Sequence, residues 1–253
     1  MATDLWSVDV QSGLATVLTR SLASAKDVVA TPDNGALLVS DLEASTVEAV
    51  DAATGASLGS YADADKPAML AASNSRDLLV YATTGDAFAI RSVPRDFYAA
   101  GGVVEATTIV ADLAVAPSGV DADDAYAYYT LADDGSLWRV QLDGSAPAER
   151  LATGLPGPKY VRVTPDNDGL VIVFQSGDCA DDDTRSAVGQ FSLTEYAALA
   201  DDAATRAGLA DLRAAGVTLD ELAYSTLLWP LSSVEDTGCP NGVAFGCDGT
   251  TLW

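Results

Sequence analysis

The sequence predicts an all-β fold made of repeated four-stranded units, on three observations. A strand–turn–strand unit recurs along the chain at a spacing mostly in the forties. A third and a fourth strand follow it, each introduced by a turn. The two ends of the chain carry complementary halves of the same unit. Short strands at such a period mark the blades of a β-propeller. The prediction is therefore a single closed propeller over residues 1–253, with four-stranded antiparallel blades.

The clearest copy runs Val28-Val29-Ala30, then Thr31-Pro32-Asp33-Asn34-Gly35, then Ala36-Leu37-Leu38-Val39. It returns as Val161-Arg162-Val163, Thr164-Pro165-Asp166-Asn167-Asp168-Gly169 and Leu170-Val171-Ile172-Val173. Weaker copies are Met69-Leu70-Ala71-Ala72-Ser73-Asn74 before Leu78-Leu79-Val80-Tyr81, and Leu113-Ala114-Val115-Ala116-Pro117-Ser118-Gly119 before 126–131. The last is Gly242-Val243-Ala244-Phe245-Gly246-Cys247-Asp248-Gly249 before 250–253. In each, an apolar strand meets a turn in which Pro presets φ, Asp or Asn bonds the local backbone and Gly takes positive φ. The equivalent turn positions are Pro32, Ser73, Pro117, Pro165 and Cys247, at spacings of 41, 44, 48 and 82 residues.

Third strands alternate apolar and polar residues, as half-buried strands do. Thr46-Val47-Glu48-Ala49-Val50-Asp51 and Ser136-Leu137-Trp138-Arg139-Val140-Gln141-Leu142 are the examples, and fourth strands follow at 56–61 and 148–153. The N-terminal Leu5-Trp6-Ser7-Val8-Asp9-Val10 matches the third-strand pattern, and the C-terminal copy supplies a first and a second strand. The termini are thus expected to share one blade, which leaves no open sheet edge. Trp6, Trp138 and Trp253 fall on equivalent or adjacent strands and are expected to pack between sheets, as is the Tyr126, Tyr128, Tyr129 cluster.

The 82-residue spacing admits two readings. Two blades of 41 residues would make the ring six-bladed. The other reading is one blade with a helical insertion at 192–216, which makes it five-bladed. Ser192-Leu193-Thr194-Glu195 fits a capping box, Tyr196, Leu199, Ala200, Ala203, Ala207 and Ala210 share a helical face, and Gly216 is a natural stop. Five blades is the expectation, with the outer strand of that blade near 224–231.

Composition limits the partners. The chain is 49% hydrophobic and can bury a core, and no apolar run approaches the roughly 18 residues a membrane helix needs. Its start has neither the basic nor the apolar region of a signal peptide. Thirty-seven acidic residues against 13 basic ones give a net charge of −24, which repels nucleic acid and anionic membranes. With no His, the commonest general base and a common metal ligand are missing. There is no nucleophile elbow and no phosphate loop.

Two segments carry candidate chemistry. The loop Ser176-Gly177-Asp178-Cys179-Ala180-Asp181-Asp182-Asp183 gathers Asp178, Asp181, Asp182 and Asp183, oxygens of the kind Ca2+ takes. Its spacing is not that of an EF-hand, and a solvated loop is the competing reading. Asp121, Asp123, Asp124, Asp133 and Asp134 form shorter acidic turns. The second segment is Cys239-Pro240-Asn241-Gly242. Cys239 and Cys247 flank a turn and are candidates for a loop-closing disulfide, with buried free thiols as the alternative; Cys179 leaves the count odd.

The strand–turn–strand units resemble those of the YVTN, NHL and SMP-30/gluconolactonase propellers, over most of the chain outside 192–216. In the SMP-30-like lactonases the Asn of a Pro-Asn-Gly turn is a ligand of the catalytic divalent metal, and Asn241 is the residue that matches it. The resemblance implies a metal-dependent lactonase or hydrolase as the alternative function. The leading expectation is a non-enzymatic interaction module that holds a protein or glycan partner on its loop face, with the 192–216 insertion as a partner-binding or assembly element. A disulfide and an acidic surface would suit a secreted, periplasmic or cell-surface setting.

Overall fold

The computed structural model describes residues 3–8, 12–73, 76–99, 104–155, 157–164, 166–176, 185–198 and 228–234. It divides into two compact units, Met1–Ala116 and Pro117–Trp253.

The first unit opens with a two-stranded antiparallel ribbon, β1 (Thr3–Val8) and β2 (Ala15–Leu22). Two four-stranded sheets follow. One is β3 (Ala25–Ala30), β4 (Ala36–Asp41), β5 (Thr46–Asp51) and β6 (Ser57–Ala62). The other is β7 (Pro67–Ser73), β8 (Leu78–Thr83), β9 (Ile90–Pro94) and β10 (Thr107–Val110). The second unit holds β11 (Gly119–Ala122), β12 (Tyr126–Leu131), β13 (Ser136–Gln141) and β14 (Glu149–Ala152). Its other sheet is β15 (Pro158–Val163), β16 (Gly169–Ser176), β17 (Arg185–Ser192) and β18 (Leu228–Val234). The helix α1 (Leu193–Ala198) follows β17. Every four-stranded sheet is an antiparallel meander in chain order.

Burial explains the strand order. The second strands β4 and β12 are buried on both faces from Leu38 to Asp41 and from Ala127 to Leu131, whereas β6 is largely exposed. A strand packed on both sides reads as a continuous apolar run, and a strand at the rim does not. In the first unit, Leu38, Val47, Ala49 and Tyr61 pack against Leu70, Leu79, Tyr81, Val93 and Phe97 of the next sheet. In the second, Tyr128, Leu137, Leu151 and Leu155 pack against Val161, Leu170, Ile172 and Phe191.

Inner strands of successive sheets are tied side to side in each unit. The Leu70 amide donates to Asp27 Oδ2 at 2.9 Å and Ser40 Oγ donates to the Ala68 carbonyl at 2.6 Å. The second unit repeats this: the Val163 amide donates to Asp121 Oδ2 at 2.7 Å and Thr130 Oγ1 donates to the Lys159 carbonyl at 3.0 Å.

The two clear repeat turns fold alike. Thr31 Oγ1 donates to Asp33 Oδ1 at 2.6 Å and accepts the Ala36 amide at 3.0 Å, and Asn34 takes φ 54°. Thr164 Oγ1 donates to Asp166 Oδ1 at 2.5 Å and accepts the Gly169 amide at 2.9 Å, and Asn167 takes φ 59°. Asn tolerates this left-handed backbone better than most residues.

The third copy is placed differently from the expectation. Gly119 is the first residue of β11, and the hairpin turns at Asp123 and Asp124. The reason is a close approach: a Cβ on Gly119 would stand 2.5 Å from the Lys159 carbonyl oxygen of the neighbouring inner strand. The glycine serves packing between sheets, while the turn belongs to Asp123, whose Oδ1 accepts the Ala125 and Tyr126 amides at 2.7 and 2.6 Å. The second strands accordingly start their pairing at Leu37, Leu78, Ala127 and Leu170, spaced 41, 49 and 43 residues apart.

The outer strand expected near 224–231 is observed at Leu228–Val234, antiparallel to β17. Pro230 sits at a register irregularity opposite Gly189, and Pro is tolerated on an outermost strand because no amide is needed there. Helix α1 begins where the capping box predicted; the rest of 192–216 lies outside the described residues.

Candidate interaction surface

The sequence-predicted metal residues Asp178, Asp181, Asp182, Asp183 and Asn241, and the cysteines Cys179, Cys239 and Cys247, lie outside the described residues. Among the described residues no group of three or more Cys, Asp or Glu is arranged to hold a metal ion. The shorter acidic turns have structural partners. Asp123 Oδ2 accepts from Tyr128 Oη at 2.7 Å, Asp121 holds the neighbouring inner strand, and Asp134 Oδ2 accepts from Ser136 Oγ at 2.6 Å.

The described charges gather in two clusters. In the first unit, the loop between β6 and β7 carries Asp63 and Asp65, and Arg91 reaches them from β9. Arg91 Nη1 donates to Asp63 Oδ1 and Oδ2 at 2.8 and 2.7 Å, and Nη2 donates to Asp65 Oδ2 at 2.6 Å. Tyr81 Oη donates to Asp63 Oδ2 at 2.7 Å, which leaves Tyr61 Oη to donate to Tyr81 across 3.0 Å. The Gly85 amide donates to the Asp65 carbonyl at 2.7 Å, and a Cβ on Gly85 would stand 2.8 Å from that backbone. Burial alone would push the Asp63 carboxyl up, but Arg91, Tyr81 and the Asp65 amide outweigh it and hold the group below its usual range. Burial, then Tyr61 and Asp63, push Tyr81 well above a normal phenol. Asp63 is thus a fixed anion and Tyr81 a fixed donor. The cluster is a latch between consecutive sheets.

In the second unit, Arg139 on β13 is ion-paired to Glu149 on β14 at 2.7 Å. Its guanidinium lies over Tyr126 at 4.7 Å and over Tyr196 at 5.6 Å. Tyr196 Oη donates to Glu149 Oε1 at 2.9 Å, and the ring packs on Phe191 at 5.8 Å. Helix α1 is therefore anchored to the sheet at its first turns. Sequence reasoning found the Tyr196 face but missed Arg139 and Arg91. Their signal was an Arg on the third strand of a blade in a chain with only 13 basic residues.

The tryptophans split. Trp138 is stacked on Tyr129 at 6.3 Å and 8°, with Arg150 over the ring at 5.7 Å. Trp6, expected between sheets, is 52% exposed, and Val8, on the same face of β1, is 57% exposed. Leu14 at the ribbon's tip and Val28 on β3 are also exposed. No described helix is long and apolar enough to cross a membrane.

No protein-family model and no curated protein sequence matches the chain. Solved structures of β-propeller proteins do. A nidogen/laminin complex matches with a TM-score of 0.58 and 14% identity, over 76% of this chain and 69% of that one. Kuenenia stuttgartiensis hydrazine synthase matches with a TM-score of 0.55 and 19% identity, over 69% of this chain and 47% of that one. TolB from Acinetobacter baumannii matches with a TM-score of 0.55 and 11% identity, over 76% and 46%. The chain spans less than half the length of the last two. At these identities the likeness concerns the fold: all-β, in four-stranded antiparallel sheets of the propeller kind.

Proposed function

We propose that the chain is a five-bladed, closed propeller acting as a non-enzymatic interaction module for a protein or glycan partner. The observation that carries this reading is how the described ionic side chains are used. Asp27, Asp41, Asp63, Asp121, Asp123, Arg91 and Arg139 are engaged in holding strands, loops and the helix in place. What the scaffold presents outward is its loops, under a net charge of −24. A surface of that sign suits a partner with a basic face, and the attraction weakens as salt screens it. The nidogen/laminin neighbour is a protein–protein complex on the same kind of fold, which fits this use. A secreted, periplasmic or cell-surface setting fits it as well, and a free-thiol count under denaturing, non-reducing conditions tests that setting through Cys239 and Cys247.

Calorimetry with Ca2+, Mg2+ and Zn2+ tests the reading against a metal-dependent lactonase. The proposal expects either no binding or Ca2+ binding lost on substitution of Asp181, Asp182 and Asp183. Binding lost on Asn241→Ala, together with lactone hydrolysis, would overturn it. On the positive side, the module should retain a partner from arrayed glycans or basic peptides saturably, with retention falling as salt is raised.

A further inference from the structure

We propose that the free edge of β1 is the docking site of this chain's own last residues, 250–253, with Trp253 seated against Trp6. The ribbon β1–β2 is built as the outer half of a blade. In the complete sheet, Leu137 pairs with Ala152 and Trp138 with Arg150, so the register slips between Leu137 and Trp138. In the ribbon, Leu5 pairs with Thr19 and Trp6 with Val17, so the register slips between Leu5 and Trp6. The same Leu-Trp pair sits at the same irregularity. β1 therefore occupies the position of β13, a third strand, and a third strand has a second strand on its inner side.

Burial shows what the position lacks. Val140 is 2% exposed, and its counterpart Val8 is 57% exposed. Trp138 has Tyr129 stacked on it from the paired second strand, through the register pair Tyr129–Trp138. Among the described residues β1 pairs with β2 alone, and Trp6 is 52% exposed. An unpaired strand carrying exposed apolar residues is an aggregation hazard unless something covers it.

The occupant follows from the rest of the chain. Nineteen residues, 235–253, lie beyond Val234. They contain Val243-Ala244-Phe245, the turn Gly246-Cys247-Asp248-Gly249 and Thr250-Thr251-Leu252-Trp253, a hairpin pattern of the kind that forms β3–β4. Setting 250–253 beside β1 as Tyr126–Tyr129 lie beside β13 places Trp253 opposite Trp6 and Thr251 opposite Val8. The strand at 243–245 then comes next inward, over Val28. Tethering also favours this occupant, because a tail on the same chain is present at a high effective concentration.

The test uses the full chain with Cys179, Cys239 and Cys247 each changed to Ser, plus Val8→Cys and Thr251→Cys. Side chains directly opposite on antiparallel strands come within about 4.5–5.5 Å at Cβ, close enough to bridge with a small shift. Mild oxidation should give an internally bridged monomer, while a Leu14→Cys, Thr251→Cys control stays reduced. Bridged dimers would assign the edge to a second copy, and unbridged chains would leave it unoccupied by the tail; either overturns the proposal. A second readout needs no Cys: a stacked Trp6–Trp253 pair gives an exciton couplet in far-ultraviolet circular dichroism, lost equally in Trp6→Phe and Trp253→Phe. Two unrelated effects on the spectrum would overturn it. The proposal deepens the ring reading, and small-angle scattering keeps the two apart: a bridged tail in a chain of open outline would keep the docking and sink the five-bladed ring.

Discussion

The two units join consecutive sheets with the same inner links but with different outer ones. In both, an Asp on one inner strand takes an amide of the next, and a hydroxyl on the second strand takes a carbonyl. At the loop that leads from one sheet to the next they diverge. The first unit uses Asp63, Asp65, Arg91 and two tyrosines. The second uses a buried Leu155, whose amide donates to the Gly135 carbonyl at 2.8 Å, with Gly135 so close that a Cβ would meet the Leu155 oxygen at 2.7 Å. One geometry is thus reached by ionic and by apolar chemistry. The inner links are what the repeat requires, and the loop junctions are where copies are free to differ.

Perturbing the ionic junction should break this comparison most sharply. Arg91→Ala leaves Asp63 buried without its cation, and removing one partner of a buried pair costs about 3–5 kcal/mol. Chemical denaturation should show that loss in the first unit at neutral pH. Acid tests the same point without mutation. Asp63 has a folded pKa depressed below its unfolded value near 3.8, so its contribution is full above that value and is lost as pH falls through the folded one. Hydrogen exchange should show β6–β9 loosening below about pH 4 while the Leu155 junction does not respond. Equal acid sensitivity at both junctions would dissolve the distinction.

Gly119→Ala should come next. It drives a methyl into the Lys159 carbonyl and should cost about 2 kcal/mol in the second unit alone, read as a lower unfolding midpoint. The smallest effects should be the shared ones. Thr31→Val and Thr164→Val each delete a buried hydroxyl from the same turn, and each should cost roughly 1 kcal/mol. A large inequality between those two would show that the repeats are less alike than their hydrogen bonds suggest.

The repeat was legible where function and packing ask the same thing of a residue. Thr31-Pro32-Asp33-Asn34-Gly35 is a turn by local chemistry alone, and the alternation in 46–51 needs nothing beyond its own period. Pro117-Ser118-Gly119 has the same local look but is governed by a neighbouring strand some forty residues away, which no local pattern reveals. Arg91 and Asp63 are separated by 28 residues and meet only because two sheets stack. Trp6 was legible as a third-strand residue, yet its exposure depends on whether a second strand lies beside it.

That dependence makes β1 the place to test the account. Hydrogen–deuterium exchange on the full chain reads the amides of β1 directly. If the terminal residues complete this blade, those amides should exchange as slowly as those of the paired third strand β13. If they exchange at the rate of an open edge while β13 stays protected, the ring is not closed by its own ends and the central claim fails.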